Sequence, residues 1–265
     1  MPTGPREIKT MNVEFVNTLS DNYAYLLLPA GSDAVAVVDP GEAAPVLRAL
    51  AKHQRRLTHV LLTHHHFDHV GGLSEFVATF PDLVVVAHEV DAAQVKGVTH
   101  RVVHDDTFIV GSATVQVLSV PCHTRGHVAF LTAGKLFTGD TLFSAGCGRF
   151  FEGDATQMFH ALDVVIGGLP EETEIYCGHE YTEANLRFAA SIEPGNLEIE
   201  AHASWARSRR ADGLPTLPST LRAERSFNPF LRTRVPAVAN AVGCSSERPV
   251  EVLAALRTLK DGFRA

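Results

Sequence analysis

The sequence predicts an α+β fold in which mixed sheets fill the first two thirds of the chain and a helical segment closes it. Three observations carry this prediction. Short β-branched runs alternate with loops and amphipathic stretches up to about residue 181, two of the later runs are joined by a Gly-containing turn that marks a hairpin, and the apolar periodicity turns helical from Thr182 onward.

In chain order, residues 13–16, 23–28, 34–38, 57–62 and 83–87 read as strands. Residues 45–53 place Val46, Leu47, Leu50 and Ala51 at helical spacing, and residues 73–80 form a second helix after Gly71-Gly72. Strands follow at 114–120, 128–132 and 135–137. Beyond the boundary near residue 181, helices are expected at 182–192, 197–211 and 250–259, separated by proline-rich loops such as Leu214-Pro215-Thr216-Leu217-Pro218. The two expected domains are residues 1–181 and 182–265.

The 265 residues suffice for one large core or for a main domain with an appendage. Hydrophobic residues at 45% and charged residues at 20% match soluble averages, and no run approaches the roughly 18 apolar residues of a membrane helix. The first ten residues carry no apolar core of a secretory signal, so a cytoplasmic chain without a membrane partner is expected. Cys122, Cys147, Cys177 and Cys244 are widely spaced, form no CxxC pair and read as reduced thiols. A net charge of −7 disfavours nucleic acid, whose binding normally shows as a basic face or stripe.

The chemistry concentrates at the end of the apolar run 57–62. There His64, His66, Asp68 and His69 place four metal-ligating groups within six residues, more than one ion needs from a single loop. A loop whose histidines merely bonded one another would leave charge repulsion or unsatisfied donors unless something positive organised it. Two ions are the economical reading. Three later segments, each after a strand-like run, offer further ligands: Pro121-Cys122-His123-Thr124-Arg125-Gly126-His127, Thr138-Gly139-Asp140-Thr141 and Tyr176-Cys177-Gly178-His179-Glu180. Taken singly each is weak, since Gly-Asp is commonly a turn. Spacing leaves His123 and His127 as alternatives.

These motifs, with Leu142-Phe143, Gly146-Cys147-Gly148, Tyr181-Thr182, Pro218-Ser219-Thr220 and Asn228-Pro229-Phe230, occur in an order that resembles glyoxalase II, the hydroxyacylglutathione hydrolases of the metallo-β-lactamase superfamily, over nearly the whole chain. The resemblance implies a four-layer αββα metallo-β-lactamase sandwich with a C-terminal helical domain. It further implies that His64, His66 and His123 hold one metal, that Asp68, His69 and His179 hold the other, and that Asp140 bridges both. His127 and His65 then become supporting residues, with Thr63 and Thr124 orienting ligands through hydrogen bonds. The cofactors expected are two divalent ions, zinc foremost, with iron or manganese accepted by the same donors.

A water between two such ions loses its proton near neutral pH, so hydrolysis follows, with Asp68 both a ligand and the group that orients the attacking hydroxide. Cys122 and Cys147 lack the dedicated base of a catalytic thiol. The resemblance supplies the substrate, S-D-lactoylglutathione and related 2-hydroxyacylglutathiones, cleaved to D-lactate and glutathione as the second step of methylglyoxal detoxification. It also implies that Arg149, Phe151, Tyr181, Arg257 and Lys260 bind the tripeptide, whose carboxylates need a cationic patch. Arg149 stands where lysine is common and Phe151 where tyrosine is common; loss of that hydroxyl would weaken binding by about 0.5–1.5 kcal/mol. A monomer is expected. The rivals are a glutathione persulfide dioxygenase with one iron, against which the complete second ligand set speaks, and another hydrolase of the metallo-β-lactamase fold.

Overall fold

The computed structural model describes residues 10–264. Nine of the ten N-terminal residues expected to carry no signal, and Ala265 of the expected helical domain, lie outside the described residues.

The first sheet contains β1 (Met11–Thr18), β2 (Asn22–Pro29), β3 (Ala34–Val38), β4 (Arg56–Leu61), β5 (Val84–His88) and β6 (His100–Val102), paired in that order. β1 to β3 run antiparallel, and β3 to β6 run parallel. α1 (Ala43–Ala51), α2 (Phe67–Val70) and α3 (Leu73–Thr79) lie within the connections that parallel pairing requires. The next strands are β7 (Thr107–Val110), β8 (Ala113–Ser119), β9 (Val128–Thr132), β10 (Lys135–Gly139), the short pair β11 (Leu142–Phe143) and β12 (Gly146–Cys147), then β13 (Glu174–Cys177) and β14 (Ser219–Thr220). Apart from the β11–β12 pair they make a second six-stranded sheet, ordered β14-β13-β10-β9-β8-β7.

Alternation along β2 shows how the layers form. Tyr23, Tyr25 and Leu27 face a cluster that also holds Val115, Val117, Phe130 and Phe137 of the second sheet. Ala24, Leu26 and Leu28 face the opposite cluster, which contains Val46 and Leu50 of α1 and Phe76 of α3. A strand with both faces covered reads as a near-continuous apolar run. The outer face of the second sheet, through Leu118, Leu136 and Ile175, is covered by α4 (Ala155–Phe159) with its π-helical continuation His160–Ile166, and by residues of α5 (Thr182–Ile192), α8 (Pro236–Ala241) and α9 (Pro249–Gly262). The result is the expected αββα sandwich. α6 (Leu197–Ala211) and α7 (Leu221–Phe227) pack on α5 through Ile199, Ala206 and Phe227. α5, α8 and α9, with Leu221 of α7, therefore share one apolar cluster with the second sheet, while α6 packs in a smaller one beside it.

The predicted hairpin is β9–β10, closed by Ala133 (φ 48°) and Gly134 (φ 75°), a two-residue turn with both φ positive that matches the strand twist. Helix α1 begins two residues before its expected start, and the helix expected at 250–259 extends over Pro249–Gly262, with proline in its first turn. Elements missing from the prediction are short. β6, β7 and β14 span two to four residues and depend on neighbours for pairing. α4 did carry a local signal, the capping box in which Asp154 accepts from the Gln157 amide.

Phe137 is 1% exposed and packs between the sheets, its ring centroid 5.4 Å from that of Tyr25 and 5.0 Å from that of Tyr176. Phe137→Ala should lower unfolding stability by about 3–5 kcal/mol, read from denaturant midpoints at constant m-value; a loss under 1 kcal/mol would show that the inter-sheet layer repacks freely.

Candidate metal centre and substrate cavity

The candidate ligands converge because the ends of several strands meet along one edge. β4 delivers residues 62–69, the segment after β8 delivers His123, β10 delivers Asp140 and β13 delivers His179. The two sheets are tied together there by backbone bonds from the Val128 amide to the Thr63 carbonyl and from the Tyr23 amide to the Gly178 carbonyl, both 2.9 Å. His64 Nε2, His66 Nδ1 and His123 Nε2 form one candidate metal-holding group, with His66 Nδ1 lying 3.1 Å from the first and 3.0 Å from the third. Asp68, His69 and His179 form a second. Asp140 lies between the groups: Oδ1 is 3.4 Å from His69 Nε2, while Oδ2 is 3.5 Å from His123 Nε2 and 3.3 Å from His179 Nε2.

Hydrogen bonds behind the rings fix which nitrogen faces inward. A carboxylate or carbonyl can only accept, so His69 Nδ1–H donates to Asp39 (3.0 Å), His179 Nδ1–H to Asp21 (2.8 Å) and His123 Nδ1–H to the Arg149 carbonyl (3.0 Å). The Thr63 hydroxyl donates to Asp39 and therefore accepts from His64 Nδ1–H. In the neutral rings, each Nε2 then presents a lone pair to the centre. His127 is reversed: its Nε2 accepts the Asp140 amide (3.1 Å), and its Nδ1 faces the Thr141 hydroxyl (3.2 Å). Both nitrogens are occupied. This geometry separates His123 from His127, which spacing alone could not do.

Electrostatics divide the centre into two halves. Burial holds His64 well below the ordinary imidazole range and His123 down at about 4, so both are neutral near pH 7. In the other half, burial opposes charge but is outweighed. Bonds to Asp140 and Asp68 lift His179 to about 10, and Asp140 with Asp39 lifts His69. Burial would also raise Asp68 and Asp140, yet their histidine neighbours hold both carboxyls well below their usual range. Without a cation, protons on His69 and His179 supply the charge that the carboxylates demand; divalent ions would replace those protons.

The donor set fits such ions. His69 Nε2 and Asp140 Oδ1 are buried without a hydrogen-bond partner, an arrangement that a polar interior does not leave uncompensated. Asp39, His64 and His69 also lie close enough to suggest a third grouping. Asp39 is already committed, however, with Oδ1 accepting the Thr63 amide (2.8 Å) and Oδ2 the Thr63 hydroxyl and His69.

Asp39, Asp21 and Asn22, whose Nδ2 donates to Asp68 Oδ2 (2.9 Å), are the functional residues that the sequence reading missed. Asp39 had a signal: a carboxylate directly after the strand beside β4. Thr63 orients His64 as expected. Thr124 differs from expectation, since its hydroxyl bonds Asp91 rather than a ligand. Burial raises the Cys122 thiol to about 12 and that of Cys147 to about 11, leaving neither as a ready nucleophile.

A cavity of about 440 Å³ opens beside the centre and is lined by His123, Asp140, Phe143, Tyr181, Arg149 and Lys260, with Phe151, Arg257 and Asp261 also on its wall. Tyr181 stacks on His179 at 4.7 Å between centroids, and Phe151 lies 5.1 Å from the His123 ring. Arg257 is 7% exposed; its guanidinium donates to the Cys147 carbonyl (2.7 Å) and pairs with Asp261 (2.9 Å), so it shapes the wall. Lys260 Nζ donates to the Ala184 carbonyl (3.2 Å) against the rings of Phe188 and Phe263.

Asp39→Asn removes an acceptor that aims His69 and Thr63. Metal affinity should fall about 10–100-fold in chelator competition while the circular dichroism spectrum is retained. An unchanged affinity would remove Asp39 from the orienting role.

The model of the metallo-beta-lactamase superfamily matches residues 17–209, and that of the hydroxyacylglutathione hydrolase C-terminus matches residues 180–263. The hydroxyacylglutathione hydrolase of Aliivibrio salmonicida is 45% identical over 253 residues, covering 95% of this chain and 99% of its own. The cytoplasmic hydroxyacylglutathione hydrolase of Arabidopsis thaliana is 42% identical over 261 residues, covering 96% of this chain and 100% of its own. Among solved structures, ETHE1 from Myxococcus xanthus superposes with a TM-score of 0.64 at 25% identity, over 92% of this chain and 89% of that one. With identities of 42–45% and near-complete coverage on both sides, the chain belongs to the hydroxyacylglutathione hydrolases of the metallo-β-lactamase superfamily.

Proposed function

We propose that the chain hydrolyses S-D-lactoylglutathione and related 2-hydroxyacylglutathiones to the hydroxy acid and glutathione. The observation that carries this reading is a shared wall: His123 and Asp140 of the metal-ligating cluster line the same cavity as Arg149 and Lys260. A scissile thioester at the cluster would thus leave its glutathione portion beside cationic groups suited to carboxylates. Residues 1–181 form the catalytic unit in this reading, and residues 182–265 form the helical substrate-binding unit that brings Arg257 and Lys260 to the cavity wall.

His64, His66 and His123 would hold one divalent ion, Asp68, His69 and His179 the other, and Asp140 would bridge them. Two such ions would acidify a water and polarise the thioester carbonyl. Zinc suits this imidazole and carboxylate set best, with iron or manganese accepted by the same donors. Asp68 is the carboxylate suited to orienting the attacking water, because Asn22 anchors its Oδ2 and its side chain is 38% exposed, against 10% for Asp140. Arg149 and Lys260 would receive the glutathione carboxylates, Tyr181 and Phe151 would flank the thioester, and Arg257 would hold the wall at Cys147. A cytoplasmic enzyme acting as a monomer is part of the same proposal, its location in keeping with the name of the Arabidopsis relative. The identities of 42–45% to hydroxyacylglutathione hydrolases favour this reading over a single-iron persulfide dioxygenase.

Purified enzyme loaded with zinc should consume S-D-lactoylglutathione, followed by loss of thioester absorbance, with two ions per chain by metal analysis. Filled sites without turnover would refute the substrate. Lys260 gives a pH signature. Burial, then the charges of Arg257 and Arg187, lower its ammonium to about 8, so it is cationic below that pH and neutral above it. KM should rise as pH passes upward through about 8, while Lys260→Arg, charged throughout, should flatten the rise. A wild-type KM independent of pH from 7 to 9 would exclude Lys260 from substrate binding.

A further inference from the structure

Asp91 belongs to no ligand set, yet its carboxylate is 1% exposed and accepts four hydrogen bonds. Oδ2 receives the His65 amide, His65 Nδ1–H and the Thr124 hydroxyl, each at 3.0 Å, and Oδ1 receives the Gly126 amide at 3.0 Å. These donors come from two segments far apart in sequence. His65 sits between His64 and His66, while Thr124 follows His123. Beyond Asp91, His65 Nε2 lies 3.8 Å from Glu152, whose carboxylate accepts the Arg125 amide at 2.8 Å. Both ends of the His65 ring therefore lead back to the segment carrying His123.

We infer that Asp91, clamping the backbone around His65 to the Thr124–Gly126 turn, is the positioning residue that sets His64 and His66 against His123 as one metal site. Three features support it. A carboxylate so buried needs its full set of donors, so the two segments cannot separate without exposing an unpaired charge. His66 faces the cluster through Nδ1, the nitrogen nearer the main chain, so a displacement of its backbone passes to the ligand atom with little side-chain freedom to absorb it. Gly126 is also accounted for: a Cβ there would lie 2.3 Å from Asp91 Oδ1 and 2.7 Å from its Cγ, so the turn closes on the carboxylate only with glycine. His65, which contributes no ligand, becomes the element through which the clamp grips the first loop.

This inference rests on the assignment of His64, His66 and His123 to one ion, and the test separates the two. Cobalt(II) titration of the apo-enzyme, followed by its visible absorption, should give two dissociation constants for the wild type. In Asp91→Asn, whose amide cannot accept all four bonds, one constant should rise about 10–100-fold and the other should stay within about twofold. Gly126→Ala, which displaces the carboxylate without removing it, should weaken the same constant, and serves in its place if Asp91→Asn does not fold. Unchanged constants in both variants would overturn the inference, as would equal weakening of both ions, the mark of general loosening. A wild-type chain taking up a single ion would refute the two-ion reading; the clamp would then stand or fall on whether that ion is weakened.

Discussion

Everything at this site follows from directing imidazole lone pairs and carboxylate charge at one another inside a protein. His66 Nδ1 is within hydrogen-bond distance of both His64 Nε2 and His123 Nε2, and the bonds behind the latter two rings commit their protons elsewhere. A single proton on His66 Nδ1 can serve only one of these two acceptors well, whereas a cation between the three nitrogens would satisfy all of them. The fold accepts that shortfall because its two sheets already meet at this edge. Hydrogen bonds between segments remote in sequence hold the ligands before any ion arrives.

The supporting carboxylates divide the work. Asp39 aims His69 and, through Thr63, His64; Asp21 aims His179. Each accepts from the ring nitrogen opposite the ligand atom, which fixes the tautomer and raises the basicity of the nitrogen that faces the centre. Asp91 acts on the main chain around His65 and on the Thr124–Gly126 turn. Orienting a ring and placing a loop are separate requirements, and different carboxylates meet them.

The helical segment completes the cavity while packing chiefly on the second sheet, with only a small apolar cluster of its own. Phe188, Leu253 and Leu256 share an apolar cluster with Leu136 and Ile175 of the second sheet, so the cavity wall is rigidly joined to the strands that carry the ligands. Glu224 of α7 accepts the Ala145 amide, and Asn228 donates to the Phe143 and Gly146 carbonyls. Together they fix the turn that leads into Cys147 and Arg149. On the proposed reading, a thioester spanning the His–Asp cluster and the cavity would need both held at a constant separation, and these contacts would supply it.

Residue type and periodicity were enough for the metal chemistry and for mixed sheets followed by helices, while the four-layer order came from the family resemblance. Four ligating groups between His64 and His69 can scarcely be organised without metal, and the near-continuous apolar run of β2 or the helical spacing along α1 is written into local side-chain order. Short strands such as β6 and β14 were not legible, because two or three residues carry no periodicity and pair only when a neighbour arrives. The choice of His123 over His127 was equally hidden. Both rings occupy one loop, and only the folded chain shows the Asp140 amide occupying His127 Nε2. Asp21, Asp39 and Asp91 were likewise ordinary acidic residues until distant segments supplied their donors. Residue type and local spacing declare what a site can bind; which lone pairs remain free to bind it depends on hydrogen bonds between remote segments, and those exist only in the tertiary structure.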